Sequence, residues 1–546
     1  MSRVRHPWAW GFVDRFPDDG ARRGLAQLAS ALLGGAFEPV PLRPLDAAPD
    51  LPAARIAPPS ALAHLCDVSP AGRAARTYGR AYPDLVRGMD GDFAAAPDFV
   101  ARPRSEDDVV ALLAWCDAER LAAVPFGGGT SVVGGVECPR DVARGVVTLD
   151  LGALDRVHEV DPVSRAARIG AGASGPVLDA QLAAHGLTLR HYPQSYELST
   201  LGGWLATRAG GHYATVYTHI DELCEAMRVV TPRGIVATPR LPASGAGPSP
   251  DRLFLGSEGT LGVITEAWMR VQQRPRWRAS ATLKFARFAD GVTAARHLAQ
   301  SGLFPTNCRL LDGHEARLHR VGFDGASVLI LGFESSDHPL TAWLARAVEL
   351  ARDAGGALAS GPSETDDGAG DAAGERSSRR GEAGSWRQAF LDAPYLQSAL
   401  ISVGVLVDTF ETACTWDRFD ALDAAVRAAV HGALDAECGG GVVSCRFTHV
   451  YPDGPAPYYT FLGRARRGAE LAQWRTIKRA ASDALAAHGG TITHHHAVGR
   501  THRPWYDRER PPLFAEVLAA AKRTLDPGEV LNPGVVIGER GASAGW

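Results

Sequence analysis

Between Pro97 and about residue 275 the chain alternates apolar runs of strand length with amphipathic stretches of helical period, and glycine-rich loops close several of the runs. That alternation confines the segment to a layered sheet-and-helix architecture. PDFVARPRSEDDVVALLAWCDAERLAAVPFGGGTS, Pro97 to Ser131, reads as a strand and then a helix N-capped by Ser105 with acids in its first turn. A short apolar strand and a glycine loop follow. GVVTLDLGAL and AARIGAG read as further strands, GPVLDAQLAAHGL as a helix, and VITEAWMRVQQRPRW closes the unit.

A chain of 546 residues exceeds one ordinary core, so several units are expected. Residues 1–90 read as an N-terminal helical segment (GLAQLASALL) without recognisable chemistry, and 91–275 as the first α+β unit. A second unit, 276–505, opens with SATLKFARFADGVTAARHL and contains a Gly-, Ser- and charge-rich stretch, 357–385, expected to be mobile and cut first near Arg376, Arg379 or Arg380. The tail, 506–546, carries a helix and the turn LDPGEVLNPG, and is expected to return to the first unit. With 45% hydrophobic residues, 22% charged and a net charge of −4, nothing calls for nucleic acid. The eight cysteines form no C-x-x-C pair, which argues against a disulfide framework or zinc knuckle. No apolar run reaches the ~18 residues of a membrane span, and MSRVRHPWAWGFVDRF lacks a signal-type core. The simplest reading is a soluble, reduced, cytoplasmic protein.

The loop PFGGGTSVVGG, Pro125 to Gly135, follows an apolar strand. Successive glycines let backbone N–H groups converge on an anion; the alternative is a tight turn. No Lys-Ser/Thr follows, so it is not a Walker loop. Gly170-x-Gly172-x-x-Gly175 imitates a nicotinamide fingerprint, but TLRHYPQSYE supplies no strand-end carboxylate and NAD is rejected. PQSYELSTLGGWLATRAGGHYATVYTHIDEL, Pro193 to Leu223, and GSEGTLGVITE, Gly256 to Glu266, repeat the pairing of glycine with hydroxyls that suits close backbone approach to a flat or extended ligand. THHHAV, Thr493 to Val498, puts three imidazoles in a row. They are candidates for active-site groups, metal ligands or a solvated strand end; His494 and His496 would share one face of an extended segment, but no Cys or carboxylate stands nearby in sequence to complete a metal site.

These glycine–hydroxyl segments, in this order, resemble the FAD-binding domain of the vanillyl-alcohol-oxidase superfamily of FAD-linked oxidases. The further resemblance, carried by STLGGWLATRAGG, VVTPRG, CRLLDG, DTFETACTWDRF, SCRFTHVYPDGPAPYYTF, GGTITHHHAVG and LDPGEVLNPG, is to the alkyldihydroxyacetonephosphate synthase (alkylglycerone-phosphate synthase) family. It implies an α+β fold with an FAD domain, 91–275, and an α+β substrate cap, 276–505. It implies that Pro125, Phe126, Gly127, Gly128, Gly129, Thr130 and Ser131 hold the FAD pyrophosphate. Gln194, Ser195, Tyr196, Glu197, Leu198, Ser199 and Thr200 would wrap the rest, with Thr207, Arg208, Ala209, Gly210, Gly211, His212, Tyr213 and Gly256, Ser257, Glu258, Gly259, Thr260, Leu261, Gly262. Thr130 and Ser131 stand where other superfamily members carry a flavin-linking His, so the FAD is implied to be non-covalent.

By the same resemblance Tyr458, His494, His495, His496 and Arg309 are catalytic, and Arg446 and Gln397 lie at the substrate. A phenol near pKa ~10 needs a proton partner, and His495 is the natural one. Arg446 could serve a substrate phosphate or pair with an acid. Gln397 stands where the synthases carry arginine. The implied reaction exchanges the acyl chain of acyl-dihydroxyacetone phosphate for a fatty alcohol through a flavin N5 adduct. The alternatives are oxidation of a 2-hydroxy acid or alcohol by hydride transfer to flavin, or a flavoprotein scaffold without catalysis. Partners would be a small-molecule or lipid substrate, with peripheral membrane contact and a homodimer left open, and no metal.

Overall fold

The computed structural model describes residues 3–366 and 381–538, apart from 141, 143, 214 and 216–218, and only the backbone of 381–388. The first sheet runs in the order Cys66–Asp67, Phe99–Ala101, Val146–Asp150, Ala122–Phe126. Its last three strands are parallel and buried, as near-continuous apolar runs require. Their shared face packs Phe99, Val109, Leu112, Leu113 and Leu149 into one core. The Glu106–Glu119 helix starts on the expected cap: the Ser105 hydroxyl accepts from the Asp108 amide at 3.2 Å, and the Asp108 carboxylate accepts from the Ser105 amide at 3.1 Å. The edge strand Cys66–Asp67 comes from the segment read as purely helical.

A second, antiparallel sheet follows, in the order Val157–Asp161, Ala166–Gly170, Val263–Arg270, Cys224–Thr231, Gly234–Ala237. The helices Gly175–Ala183 and Leu201–Thr207 bury Leu178, Leu182, Leu201, Trp204 and Leu205 with it. The tail returns here: Leu531 bridges Ala123, and the Asn532 side chain donates to the Gly135 and Glu258 carbonyls at 2.9 and 2.7 Å.

The cap is a seven-stranded antiparallel sheet, in the order Ala357–Asp366, Trp277–Phe285, Ser327–Ser335, Asn307–Leu311, Gly441–Val450, Pro455–Arg464, Val405–Glu411. Within the stretch 357–385, Ala357–Asp366 departs from the reading as a mobile insert. Ala357–Asp366 pairs with Trp277–Phe285, and as an edge strand it is held by main-chain bonds and an Arg276–Asp366 ion pair rather than by apolar alternation. Residues 381–385 begin the helix Gly381–Ile401. Residues 367–380, with Arg376, Arg379 and Arg380, lie outside the described residues. No helix of the described residues is long and apolar enough to cross a membrane.

Candidate active site

The glycine loop leaves its strand and packs flat against residues 198–200. A Cβ on Gly128 would lie 2.0 Å from the Leu198 carbonyl, and one on Gly127 would lie 2.2 Å from Thr200 Oγ1, so only glycine permits the approach. None of the amides of Gly128 to Ser131 donates to an acceptor among the described residues. This is the donor set a phosphate oxygen requires. Two cavities meet at the loop. The inner one, about 220 Å³, lies between the FAD domain and the cap; the outer one, about 250 Å³, opens on the other side of Gly127, Gly128, Gly129 and Thr200. An extended dinucleotide with its diphosphate at mid-length fits that arrangement.

The remaining expected cofactor residues divide. Thr130, Ser131, Gln194, Ser195, Ser199, Thr200, Thr207, Ala209, Gly210 and Gly211 line the inner cavity. Phe126 and Leu198 line the outer one. Tyr196 instead donates to Asp179 at 2.9 Å, Glu197 accepts from Tyr395 at 2.5 Å, and Arg208 pairs with Asp221 at 3.0 Å. His212 and Tyr213 are buried, with the His212 carbonyl bound by Arg309 and the Tyr213 ring covered by Arg190. The segment Gly256–Gly262 lines neither cavity. It stands behind the glycine loop, where Gly259 abuts Pro125 and the Glu258 carboxylate accepts from the Val498 and Gly499 amides at 2.8 and 3.0 Å. Burial raises Glu258 to about 7. Its hydroxyl-and-glycine composition reflects this bracing.

The triple histidine is held by one carboxylate that the sequence did not single out. Glu411, at the end of Val405–Glu411, accepts from the Thr493 hydroxyl at 2.6 Å and from the amides of His494, His495 and His496 at 2.6, 3.2 and 2.9 Å. With its backbone donors absorbed, the loop turns its rings inward, and His495 and His496 reach the inner cavity. His495 Nδ1 lies 2.9 Å from His494 Nδ1, His494 Nε2 lies 2.8 Å from the Tyr451 hydroxyl, and that hydroxyl lies 2.7 Å from His219 Nε2.

The hydrogen positions follow from the far end of this chain. With the His219 proton assigned to its bond with the Arg208 backbone, Nε2 is left as the acceptor toward Tyr451. Tyr451 must then donate to His219 and accept from His494 Nε2–H. His494 Nδ1 in turn accepts from His495 Nδ1–H, which leaves the lone pair of His495 Nε2 facing the cavity. Burial holds His495 at about 3 and drives His494 well below the ordinary imidazole value, so both are neutral at pH 7. His449, His494 and His495 bring ring nitrogens within 4.8 Å of one another, which a metal ion would tolerate. Both nitrogens of His449, on Thr448 and the Gly211 carbonyl, and both of His494 are already engaged, so the set is built as a hydrogen-bonded chain.

Tyr458 does not bond His495. Its register opposite Glu411 tips the hydroxyl onto the diagonal neighbour Thr409, whose Oγ1 accepts at 2.9 Å, while the ring lies parallel to His495 with centroids 6.0 Å apart. Burial raises the phenol further above neutrality, so Tyr458 is a donor rather than a base. Arg446 covers the Tyr458 ring at 3.8 Å and pairs with buried Glu315, itself bound by His319 and Ser444. Of the two roles open to Arg446, the acid partner is the one observed. Arg309 differs. It is buried, donates once to the His212 carbonyl at 3.1 Å, and leaves Nε and Nη1 without a partner. It lines the cavity, and burial beside Arg446 lowers it to about 9. Gln397 also lines the cavity, accepting from Trp10 Nε1 at 3.1 Å and donating to Asp408 at 3.3 Å. Asp408 further accepts from Trp474 at 2.7 Å and faces Lys478 at 3.7 Å.

Residues 97–238 match the model of an FAD binding domain, and residues 274–536 that of the C-terminal domain of FAD linked oxidases. The chain is 30% identical over 493 residues to alkyldihydroxyacetonephosphate synthase of Trypanosoma brucei brucei, covering 85% of this chain and 77% of that protein. It belongs to the alkyldihydroxyacetonephosphate synthase family. The synthase of Dictyostelium discoideum is 29% identical over 488 residues, covering 84% of this chain and 76% of that one. A solved alkyldihydroxyacetonephosphate synthase superposes with a TM-score of 0.78 at 23% identity, covering 97% of this chain and 98% of that one. FAD is thus the cofactor, as the open amides and paired cavities require. Within the synthase family frame, Glu411, Tyr451, His219, His449 and Lys478 are site residues that sequence reasoning missed. Glu411, inside the quoted DTFET segment, His449 and Tyr451, inside SCRFTHVYPDG, and His219, inside the Pro193 to Leu223 stretch, lay in quoted sequence, whereas Lys478 did not.

Proposed function

We propose that this protein exchanges the acyl chain of an acyl-dihydroxyacetone phosphate for a fatty alcohol, releasing the fatty acid without net oxidation. What carries the reading is His495, which lines the same cavity as Tyr458 and whose Nδ1 is engaged by the His494–Tyr451 chain, so that the assigned tautomer leaves Nε2 as an acceptor. Bound FAD, held at the open amides of Gly128 to Ser131, would supply an electrophilic N5 for chemistry at the dihydroxyacetone carbon. His495 Nε2 accepts the proton from that carbon. Tyr458, kept protonated by burial, would turn its hydroxyl from Thr409 to donate to the departing carboxylate oxygen. Arg309 offers Nε–H and Nη1–H to the substrate's anionic group, a charge-assisted pairing that offsets the cost of its burial. The apolar wall of Phe390, Ala393, Leu396 and Leu400 suits an alkyl chain. The names of the relatives support the same substrate class. Incubation with acyl-dihydroxyacetone phosphate and a long-chain alcohol should give the alkyl ether and the free acid in equal amounts; hydrolysis alone, or no product, would refute it.

The second reading, oxidation of a 2-hydroxy acid or alcohol, draws on Gln397. With glutamine there, Asp408 meets a neutral side chain and has Lys478 at 3.7 Å as its cation. A hydride acceptor needs no added cation. Reduction of the flavin by such a substrate under anaerobic conditions would select this reading.

A further inference from the structure

The outer cavity carries charge that the reaction does not use. Arg5, Arg76 and Arg80 all line it, together with the glycine loop and the carboxylates Asp150 and Asp155. Arg76 is neutralised by Asp150 at 2.8 Å. Among the described residues neither Arg5 nor Arg80 has an ion pair. Arg5 donates to the Gly128 carbonyl, while Arg80 donates to the carbonyls of Ala9 at 3.2 Å, Gly79 at 2.7 Å and His6 at 3.3 Å. Loss of solvent, and after it the like charge of the neighbouring arginines, lowers Arg5 to about 10 and Arg80 to about 9. With Arg76 paired, Arg5 and Arg80 stand beside the open loop amides without a carboxylate partner among the described residues, an arrangement an anion would complete.

Arg5 is delivered by residues 3–16, which cross from the FAD domain to the cap. Arg5 bridges Phe12, and Trp8, Ala9 and Trp10 are buried. The Trp10 amide donates to Ser398 at 3.0 Å, its indole donates to Gln397, and Arg15 pairs with Asp392 at 2.6 Å. Arg80 holds the same segment from the FAD side. The arm thus touches both cavities, with Arg5 at the outer and Trp10 at the inner. The geometry points to the arm as part of the cofactor site: Arg5, flanked by Arg76 and Arg80, is the cationic partner of the FAD diphosphate opposite the amides of Gly128 to Ser131. The inner cavity then takes the flavin ring and the outer one the adenylate half.

The test is cofactor binding to the full-length apoprotein, followed by flavin fluorescence. Arg5→Gln removes the charge and should raise the Kd for FAD by about 10- to 100-fold, while Arg5→Lys should recover most of it. Riboflavin carries no phosphate, so its weaker binding should be unchanged by Arg5→Gln. Arg3→Ala, an exposed residue paired with Asp14, is the control and should leave FAD binding intact. Inorganic pyrophosphate should raise the Tm of the wild-type apoprotein and compete with FAD, a measurement that stands even if Arg5→Gln fails to fold. A Kd for FAD within about twofold of wild type in Arg5→Gln, equal weakening of riboflavin and FAD, or a wild-type apoprotein indifferent to pyrophosphate would each overturn the assignment.

Discussion

In the proposed reaction His495 can accept a proton at Nε2 because three hydrogen bonds away, through His494 and Tyr451, His219 sets the tautomers along the chain. Tyr451→Phe removes the middle of that chain and frees the tautomer. It should lower kcat by about 10- to 100-fold with KM nearly unchanged, whereas His495→Ala should cost about 100- to 10,000-fold with FAD content intact. Combining the two should be scarcely worse than His495→Ala alone, since both act through one nitrogen; additive losses would show that Tyr451 acts elsewhere. Gln397→Arg would add a cation beside Asp408. If a missing charge limits exchange, ether formation should rise by about tenfold, and an unchanged rate in both forms would place the substrate anion at Arg309 alone. The three histidines were visible in the sequence because the run THHHAV is unusual. Their support was not, since Tyr451 and His219 are distant in sequence and meet only across the cap–FAD boundary.

At the scale of elements, the site depends on two loops pinned by buried carboxylates, Glu411 on one side and Glu258 on the other. Glu411→Gln turns an acceptor for four donors into a group that carries donors of its own. It should cost about 2–4 kcal/mol of stability in urea unfolding and speed amide exchange at 494–496. Wild-type stability would show that the carboxylate is incidental. Motif reading placed DTFET correctly as family sequence but could not say that Asp408, Thr409 and Glu411 face three different partners, because strand register decides that. It misjudged Ala357–Asp366 for a related reason: an edge strand is specified by its neighbour's main chain, not by its own apolar alternation. The arm was illegible because a run mixing Arg, His and Trp has no period from which a partner can be inferred.

For the whole molecule, the α+β fold and FAD domain were legible from strand–helix alternation and glycine loops, whereas the joining of the two units through an arm, a tail and a histidine chain was not. That joining buries imidazoles: His6 and His502 are held at about 4, His191 and His495 at about 3, and His449, His494 and His496 well below the ordinary value. An unfolded chain protonates them near pH ~6.5 while the folded chain does not, so stability is lost as pH falls below that value. Asp84 and Glu258, raised to about 7, work in the opposite sense between pH ~4 and ~7 but are outnumbered. Calorimetry at saturating FAD should show Tm falling steadily from pH 6.5 to 5, and less steeply in His495→Gln; a flat profile would contradict neutral burial of the cluster. The most direct measurement is the anaerobic visible spectrum of the FAD-loaded protein mixed with acyl-dihydroxyacetone phosphate and a labelled fatty alcohol, with products counted in the same sample. Labelled ether and free fatty acid should appear in equal amounts while no net reduced flavin accumulates; bleached flavin without ether would contradict exchange chemistry.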